Sequence, residues 1–255
     1  MTKVILSRVT IGTSVKIKIK ITVNIKMANR PDYIAKEIQP YFECVDTEFK
    51  FYSGFSLKQK HLSIKSLHAA FNEIYPDKKV LEISSKSDND LGVKVSAFNL
   101  QFSYKDLDKV FSVESAFQGS KVFENGGPYV DLLGKSSRDA KHDERIKTSG
   151  RLIAFKFFGE VFPVDPKTYF YDWLYINALN FNSDLAAEIL NCDAFTDIEF
   201  NPKKSLNCQA AAAAIFVGLS RADLLSAALK NKEDFLEIVY PKKIAAELRG
   251  NIFIY

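Results

Sequence analysis

The amino-acid sequence predicts a single α+β domain in which helices dominate over one small antiparallel sheet. A chain of 255 residues, 47% of them hydrophobic, is long enough to bury one sizeable core. No internal repeat or Pro/Gly-rich linker divides it, and the patterns beyond Lys167 are mainly helical. We therefore expect one domain over residues 27–255, preceded by a basic extension over residues 1–26.

The extension differs from the rest of the chain in charge. Residues 1–30 hold seven Lys or Arg and no acid, so the net charge of +4 becomes −3 for the remainder. From Val15 to Lys26, apolar residues alternate with mostly basic ones, which predicts a strand with a lysine-rich face. Such a strand could cover a sheet edge. The alternative, which we prefer, is that Met27 is the true start and the preceding residues have no selected role.

The first predicted helix runs from Ser56, a suitable N-cap, to about Tyr75, where Pro76 ends it. Strands are predicted over residues 79–85 and 94–104. Apolar residues recur in the helix at steps of three and four, and the expected buried stripe is Ile64, Leu67, Phe71 and Ile74.

The next segment, Ser112 to Phe123, which we call the signature segment, is the most informative part of the chain. We interpret it as a helix capped by Ser112 and stopped by the Asn-Gly-Gly-Pro sequence at 125–128. Glu114 and Lys121 are seven positions apart, which on a helix returns to within about 20° of the same face. The spacing predicts that an acid and a base share one wall of a pocket.

The rest of the sequence predicts a solvent-exposed surface segment, a hairpin and a series of helices. The charged segment 135–147 is typical of a solvated surface. Residues 151–157 and 160–164 predict a hairpin around Phe158 and Gly159. The helices are expected near residues 167–180, 183–191, 206–218 and 221–239.

Several functional classes lack support in the sequence. Three scattered cysteines without CxxC spacing fit a reducing cytoplasm and offer no zinc site, and His61 and His68 have no evident third ligand. No apolar run is long enough to span a membrane, and no P-loop or GxGxxG motif is present, so we expect neither a membrane association nor a cofactor. The net charge outside residues 1–30 gives no support for DNA binding. A local basic groove stays open as an alternative, formed by Lys203 and Lys204 or by Lys135, Arg138 and Lys141.

Three blocks in a fixed order resemble the NADAR family. Residues 95–98, Val-Ser-Ala-Phe, are similar to a Phe/Leu-Ser-Asn-Phe strand that a lysine often precedes, here Lys86. Residues 197–201 followed by Asn207 are similar to an Asp-x-x-Trp-Gly…Asn segment, with Phe for Trp and Asn for Gly. The third block matches the family's Ser/Thr-Val-Glu-His-Tyr-Phe-Gln-x-x-Lys helix at Ser112, Val113, Glu114, Phe117, Gln118 and Lys121.

The amino-acid sequence between these blocks resembles, in particular, that of the NADAR proteins associated with DarT-type DNA ADP-ribosyltransferase toxins. The resemblance implies a cytoplasmic N-glycosidase that removes ADP-ribose from guanine bases in DNA, with ADP-ribosylated DNA and a DarT-type toxin as partners. Two alternatives stay open. One is a YbiA-like N-glycosidase acting on a riboflavin-pathway intermediate, and the other is a non-catalytic antitoxin that binds the toxin.

The resemblance also implies the site. Glu114, in the first turn of its helix, suits a general base or an anion that stabilises an oxocarbenium ion. Lys86 is the preferred amine for a Schiff base, Lys121 is the second candidate, and a mechanism without a covalent lysine remains the third. Asp197 is expected to orient the sugar or to act as a second carboxylate. Ligand contacts are expected from Ser96, Phe98, Asn99, Phe117, Gln118, Phe200 and Asn207.

Overall fold

The structure is a computed structural model that describes residues 2–11, 15–24, 26–104 and 109–240. Its strands are β1 (Thr2–Ile11), β2 (Val15–Asn24), β3 (Lys26–Ala35), β4 (Phe42–Phe51), β5 (Val80–Glu82), β6 (Gln101–Phe102), β7 (Phe111–Ser112), β8 (Lys121–Phe123), β9 (Leu152–Phe157), β10 (Glu160–Pro163) and β11 (Ala194–Thr196). Its helices are α1 (Leu57–Ile74), α2 (Asp90–Lys94), α3 (Val113–Gly119), α4 (Ser137–His142), α5 (Arg145–Thr148), α6 (Tyr169–Phe181), α7 (Ser183–Ile189), α8 (Gln209–Arg221), α9 (Leu225–Ala228) and α10 (Lys232–Val239), with a 3-10 helix at Val130–Gly134.

The predicted α+β class is confirmed, and the strands form several small sheets. The largest has the order β4-β3-β11-β5, in which β11 is antiparallel to β3 and parallel to β5. A three-stranded sheet has the order β10-β9-β8, and its β9–β10 pair is the predicted hairpin. The parallel pair places the end of β5 beside the end of β11, so the chain after Glu82 and the chain after Thr196 lie together.

The predicted strand in the extension is present as β2. In the described residues β2 pairs with β1 and not with an edge of the four-stranded sheet. That sheet begins at Lys26, which pairs with Phe51.

The first helix closely follows the prediction. Ser56 accepts a hydrogen bond from the Gln59 backbone, and the Gln59 side chain bonds back to Ser56, forming a capping box. Ile64, Leu67 and Phe71 are fully buried. The fourth member of the predicted stripe was wrong, because Ile74 lies in the last turn and is 64% exposed.

Two predicted elements near the signature segment were also wrong. Residues 94–104 are not one strand: they contain the end of α2, a turn and the two-residue strand β6. The signature helix ends at Gly119, before the Asn-Gly-Gly-Pro stop, and Lys121 lies in β8. Strand pairing competes with further helix there, because Lys121 pairs with Phe155 and the Ser120 carbonyl accepts from the Lys156 N–H at 2.7 Å.

The last predicted helix, near residues 221–239, is divided in two. Asp223 has a φ of 56°, which an α-helix does not accommodate, so the first part, α9, begins only at Leu225. Asn231 starts the second part, α10, by accepting from the Asp234 N–H at 2.7 Å. The other predicted helices are present as α6, α7 and α8.

The core lies around α6 and α8. Aromatic rings of α6 pack with those of α3 and β9, as in the stack of Phe170 on Phe155 with centroids 4.7 Å apart. The alanine run of α8 is largely buried and packs against α6 and β3. These two helices form a rigid base for the loops that follow β5 and β11. Nowhere in the described ranges is a helix both long and apolar enough to cross a membrane.

We expect the domain to fold without the extension. Removing residues 1–25 should change the melting temperature by less than about 2 °C, because β1 and β2 pair with each other while the four-stranded sheet begins at Lys26. Circular dichroism during heating measures this. As a control, removing residues 1–33 takes most of β3 from the interior of the sheet and should prevent cooperative folding. A large loss of melting temperature in the shorter deletion would contradict the prediction.

Candidate active site

A cleft of about 980 Å³ opens where the ends of β5 and β11 meet α3 and the start of α8. Its lining residues come from seven separate segments of the chain. Those that the following argument uses are Ser96, Phe98, Glu114, Phe117, Gln118, Lys121, Lys141, Lys167, Asp197, Phe200, Lys204, Asn207 and Gln209.

The short helix α3 presents a buried carboxylate to this cleft. Ser112 caps the helix by accepting from the Ser115 N–H at 3.0 Å, which places Glu114 in the first turn, where the helix dipole favours negative charge. Glu114 is only 6% exposed. Gln118 Nε2 donates to its Oε1 at 2.9 Å, and Lys141 Nζ lies 3.8 Å from the same oxygen.

Lys121 joins this group although it is not in the helix. Its Nζ donates to Gln118 Oε1 at 2.8 Å, so Gln118 connects the amine to Glu114. Nζ also lies 4.7 Å from the centre of the Phe117 ring. Burial lowers the pKa of Lys121 to about 8, and the nearby Glu114 charge only partly opposes this shift. A neutral amine is therefore accessible near physiological pH.

Asp197 faces the cleft from the turn after β11. Its Oδ1 accepts from the N–H groups of Glu199 and Phe200, and its Oδ2 accepts from Gln209 Nε2 at 2.9 Å. Burial raises the pKa of Asp197 to about 7, and the charge of Glu82 adds to the rise. The carboxyl can therefore hold a proton near neutral pH, as a general acid requires.

Glu82 lies behind Asp197 at the end of β5 and is fully buried. Its Oε2 accepts from Thr196 Oγ1 at 2.6 Å and its Oε1 accepts from the Ile198 N–H at 2.9 Å. It thereby holds the residues on both sides of Asp197. Thr196 Oγ1 also lies 2.9 Å from His68 Nε2, so this histidine is part of the support and not of the cleft wall.

The comparisons identify the family. A family model described as the DarT1-associated NADAR antitoxin matches residues 28–248. The chain belongs to this family. A search of curated proteins gives no match. The matched residues of this NADAR antitoxin family member include α3, the helix that carries the buried Glu114.

Most predicted site residues of the NADAR chain meet in the cleft. Glu114, Lys121 and Asp197 all line it, together with the predicted ligand contacts Ser96, Phe98, Phe117, Gln118, Phe200 and Asn207. Asn207 is a good ligand contact in physical terms, because its buried Oδ1 has no hydrogen-bond partner among the described residues. Ser96 instead uses its hydroxyl locally, donating to the Val93 carbonyl at 2.7 Å.

Two predicted residues do not reach the cleft wall. Lys86 follows β5 in a turn, and its neighbours Ser84 and Ser85 line the cleft while Lys86 does not. Asn99 is exposed and donates to the Val93 carbonyl at 3.0 Å, which makes it a support for its own turn.

Sequence reasoning missed two contributors, Gln209 and Lys167. Gln209 begins α8 and bonds both Asp197 and the Ala97 N–H, but a glutamine at a helix start carries no distinctive signal. Of the two basic clusters that the sequence offered, Lys141 and Lys204 line the cleft. The Lys141 ammonium lies 3.8 Å from Glu114 and 4.9 Å from the centre of the Phe98 ring. Within the described ranges, no group of three His, Cys, Asp or Glu side chains is arranged to hold a metal ion.

The raised pKa of Asp197 makes folding stability depend on pH. The pKa is about 7 in the folded protein against an ordinary value of 3.8, so between these values the unfolded chain releases a proton that the folded protein keeps. The contribution of this carboxyl to stability is therefore highest below about pH 4 and falls until about pH 7. Asp197→Asn is expected to flatten this part of the curve of unfolding free energy against pH, as measured by urea denaturation.

Asp32 provides a matched control for this measurement. Burial raises its pKa to about 7 as well, and its carboxyl accepts from the Thr47 hydroxyl outside the cleft. Asp32→Asn should flatten the same pH range without altering the cleft. A curve as steep as that of the parent protein in the Asp197 variant would show that this carboxyl does not hold its proton near neutral pH.

Proposed function

We propose that the chain is an N-glycosidase that removes ADP-ribose from guanine bases in DNA and so reverses the modification made by a DarT-type toxin. The observation that carries this proposal is the convergence of Glu114, Lys121 and Asp197 on one cleft. Membership of a family of antitoxins associated with DarT1 supports the substrate class. A protein with this role works in the compartment that holds the modified DNA, the cytoplasm.

The proposed reaction breaks the bond between C1 of the ribose and the exocyclic amine of guanine. Opening of the ribose ring moves the proton of this amine, through the cleft residues, to the ring oxygen and leaves an imine between C1 and the guanine nitrogen. The neutral amine of Lys121 adds to C1, and the guanine amine departs with a proton from Lys121. Water then adds to C1 of the lysine imine and releases Lys121, so one water is consumed and ADP-ribose is formed.

The two carboxyls divide the proton transfers. Asp197, whose pKa is about 7, is suited to donate the proton that the ring oxygen takes up. Glu114 is suited to accept protons and to stabilise positive charge that develops at C1, because it is buried beside the amine and linked to it through Gln118. Lys121 is preferred to Lys86 as the amine because, of the two, only Lys121 lines the cleft. Burial also lowers the pKa of Lys121 to about 8.

The wall around these groups suits a base attached to a sugar. Phe98 and Phe200 offer ring surface to the cleft, and Asn207 Oδ1 offers a buried acceptor without a partner among the described residues. Aromatic rings stack on any base, whereas an amide oxygen accepts from amine and hydroxyl groups. These residues are proposed to hold the guanine and the ribose hydroxyls.

Glu114→Gln keeps the size of the side chain and removes its charge. Turnover of ADP-ribosylated DNA by the purified protein is expected to fall at least about 100-fold, because the base or cation stabiliser is lost. The matched control is Glu124→Gln, the same change at an exposed site where the carboxylate pairs with Arg151. The melting temperatures of both variants show whether they are folded. Near-normal turnover by folded Glu114→Gln would remove Glu114 from the mechanism.

Borohydride added during turnover is expected to trap a reduced ADP-ribose adduct on Lys121, located by peptide mass spectrometry. Lys121→Arg should abolish turnover, because a guanidinium keeps the charge but cannot serve as the amine. Lys86→Arg, the matched control, should retain most of the rate. An adduct on Lys86 would reverse the roles of the two lysines.

Activity in both arginine variants, with no adduct, would exclude the covalent mechanism. Absence of turnover by the parent protein, combined with binding to the toxin, would favour the non-catalytic antitoxin. Turnover of a riboflavin-pathway glycoside, but not of modified DNA, would favour the YbiA-like activity.

A further inference from the structure

A second cavity, of about 380 Å³, adjoins the cleft and plays no part in the proposed chemistry. Its wall is largely apolar and aromatic and includes Tyr33, Pro40, Phe42 and, from α8, Ala211 and Ile215. The carboxyl residue in the wall, Asp172, accepts a hydrogen bond from the Tyr240 hydroxyl. Tyr33 and Phe42 pack edge to face with their ring centres 5.5 Å apart. No lysine or arginine lines it in the described part of the chain. These features suit a flat uncharged ring and not a phosphate.

The border between the cleft and the cavity is formed by two short segments. Leu206 lines both spaces. Lys167 lines the cleft while the next residue, Thr168, lines the cavity. On the other segment Lys204 lines the cleft, two residues before Leu206. Each of the two lysines therefore lines the cleft within two residues of one that lines the cavity, and in the described part of the chain neither lysine forms an ion pair.

We infer that the second cavity is a subsite for the adenine ring of ADP-ribose, with the diphosphate crossing the border between Lys167 and Lys204. This inference rests on the proposed function for the identity of the ligand. The order of environments matches the order of groups along the molecule: a cleft with Glu114 and Lys121 for the reacting ribose, two ammonium groups for the diphosphate, and an aromatic cavity for the base.

The subsite gives the protein a way to select its substrate. A base stacked on aromatic side chains adds binding energy far from the reacting carbon, and this energy can hold the ribose against Glu114 and Lys121. A ribose or ribose phosphate alone lacks that anchor. The cavity would thus make the protein selective for the whole ADP-ribose group over a shorter sugar adduct.

Calorimetric titration of the full chain with ADP-ribose and with ribose 5-phosphate tests the subsite without requiring turnover. ADP-ribose is expected to bind at least about tenfold more tightly, a modest value for the stacking of one base. Ala211→Phe places a ring in the cavity and should bring the two affinities within about twofold of each other. The matched control, Ala187→Phe, makes the same change on an exposed face of α7 and should preserve the tenfold difference.

Phe42→Leu provides a second variant if Ala211→Phe does not fold, because it removes a ring from the cavity wall and keeps an apolar side chain. It should reduce the difference between the two ligands at least threefold. Equal affinities in the parent protein, binding of neither ligand, or an unchanged difference in folded cavity variants would overturn the subsite. If the cavity takes a different apolar ligand, the parent protein should bind ADP-ribose and ribose 5-phosphate with equal affinity.

The glycosidase assay separates this inference from the proposed function. A protein that binds ADP-ribose through its adenine but does not cleave modified DNA would keep the subsite and overturn the catalytic proposal. Conversely, a pyrophosphatase that cleaves the diphosphate of ADP-ribose and leaves the DNA backbone intact gives a phosphoribosyl adduct, which Ala211→Phe and the parent protein should cleave at the same rate. A loss of rate on this short adduct equal to the loss on the intact one would show that the variant damages the cleft and would overturn the subsite.

Discussion

The turn that follows α2, at residues 95–100, is the constraint on which the cleft depends, and the backbone of Ala97 is at its centre. The Ala97 N–H donates to Gln209 Oε1 at 2.7 Å, and the Ala97 carbonyl accepts from the Glu114 N–H at 2.9 Å. Since Gln209 also donates to Asp197, the backbone of one residue links the two carboxyl-bearing elements. Neighbouring carbonyls of the same turn are held in similar ways, by Tyr175 at Val95 and by Ser137 at Phe98. The turn is therefore rigid because its backbone groups are satisfied from several elements.

A second consequence of this packing is that the reactive groups are desolvated. Burial raises the pKa of Asp197 and lowers that of Lys121, so the same physical cause brings an acid and an amine towards their neutral forms near pH 7. Their neutral forms are the ones that can donate a proton and attack a carbon. Both shifts reduce folding stability. The aromatic core beneath α6 offsets that cost.

The parts of the fold that the sequence predicted well are those decided by local interactions. The capping box at Ser56 and Gln59 and the hairpin around Gly159 need only neighbours a few residues away, and both are present. The end of α3 could not be predicted in this way. Nothing within the segment stops the helix at Gly119; the pairing of Lys121 with Phe155, more than thirty positions later, does so. Long-range pairing is invisible to periodicity.

The same distinction applies to the site. The residue types of the signature segment pointed to Glu114, Gln118 and Lys121, and they do lie together. The prediction that Glu114 and Lys121 share one face of a helix was wrong. Lys121 lies in the strand β8, and its amine is linked to Glu114 through Gln118. Lys86 could not be placed from sequence, since whether a turn residue faces a cleft depends on the backbone around it. Gln209 joins Asp197 to Ala97 across more than one hundred positions, so only the fold makes it visible.

The distribution of charge limits how a protein of this kind can recognise modified DNA. Outside residues 1–30 the net charge is −3, so the body has little general attraction for a phosphate backbone. Four lysines line the cleft, Lys121, Lys141, Lys167 and Lys204, together with the four carboxyls of Glu114, Asp165, Asp197 and Glu199. In the proposed function, binding energy must then come mainly from the ADP-ribose group and only slightly from the DNA that carries it. Recognition of this kind is independent of DNA sequence, which is what the reversal of a modification at many sites requires.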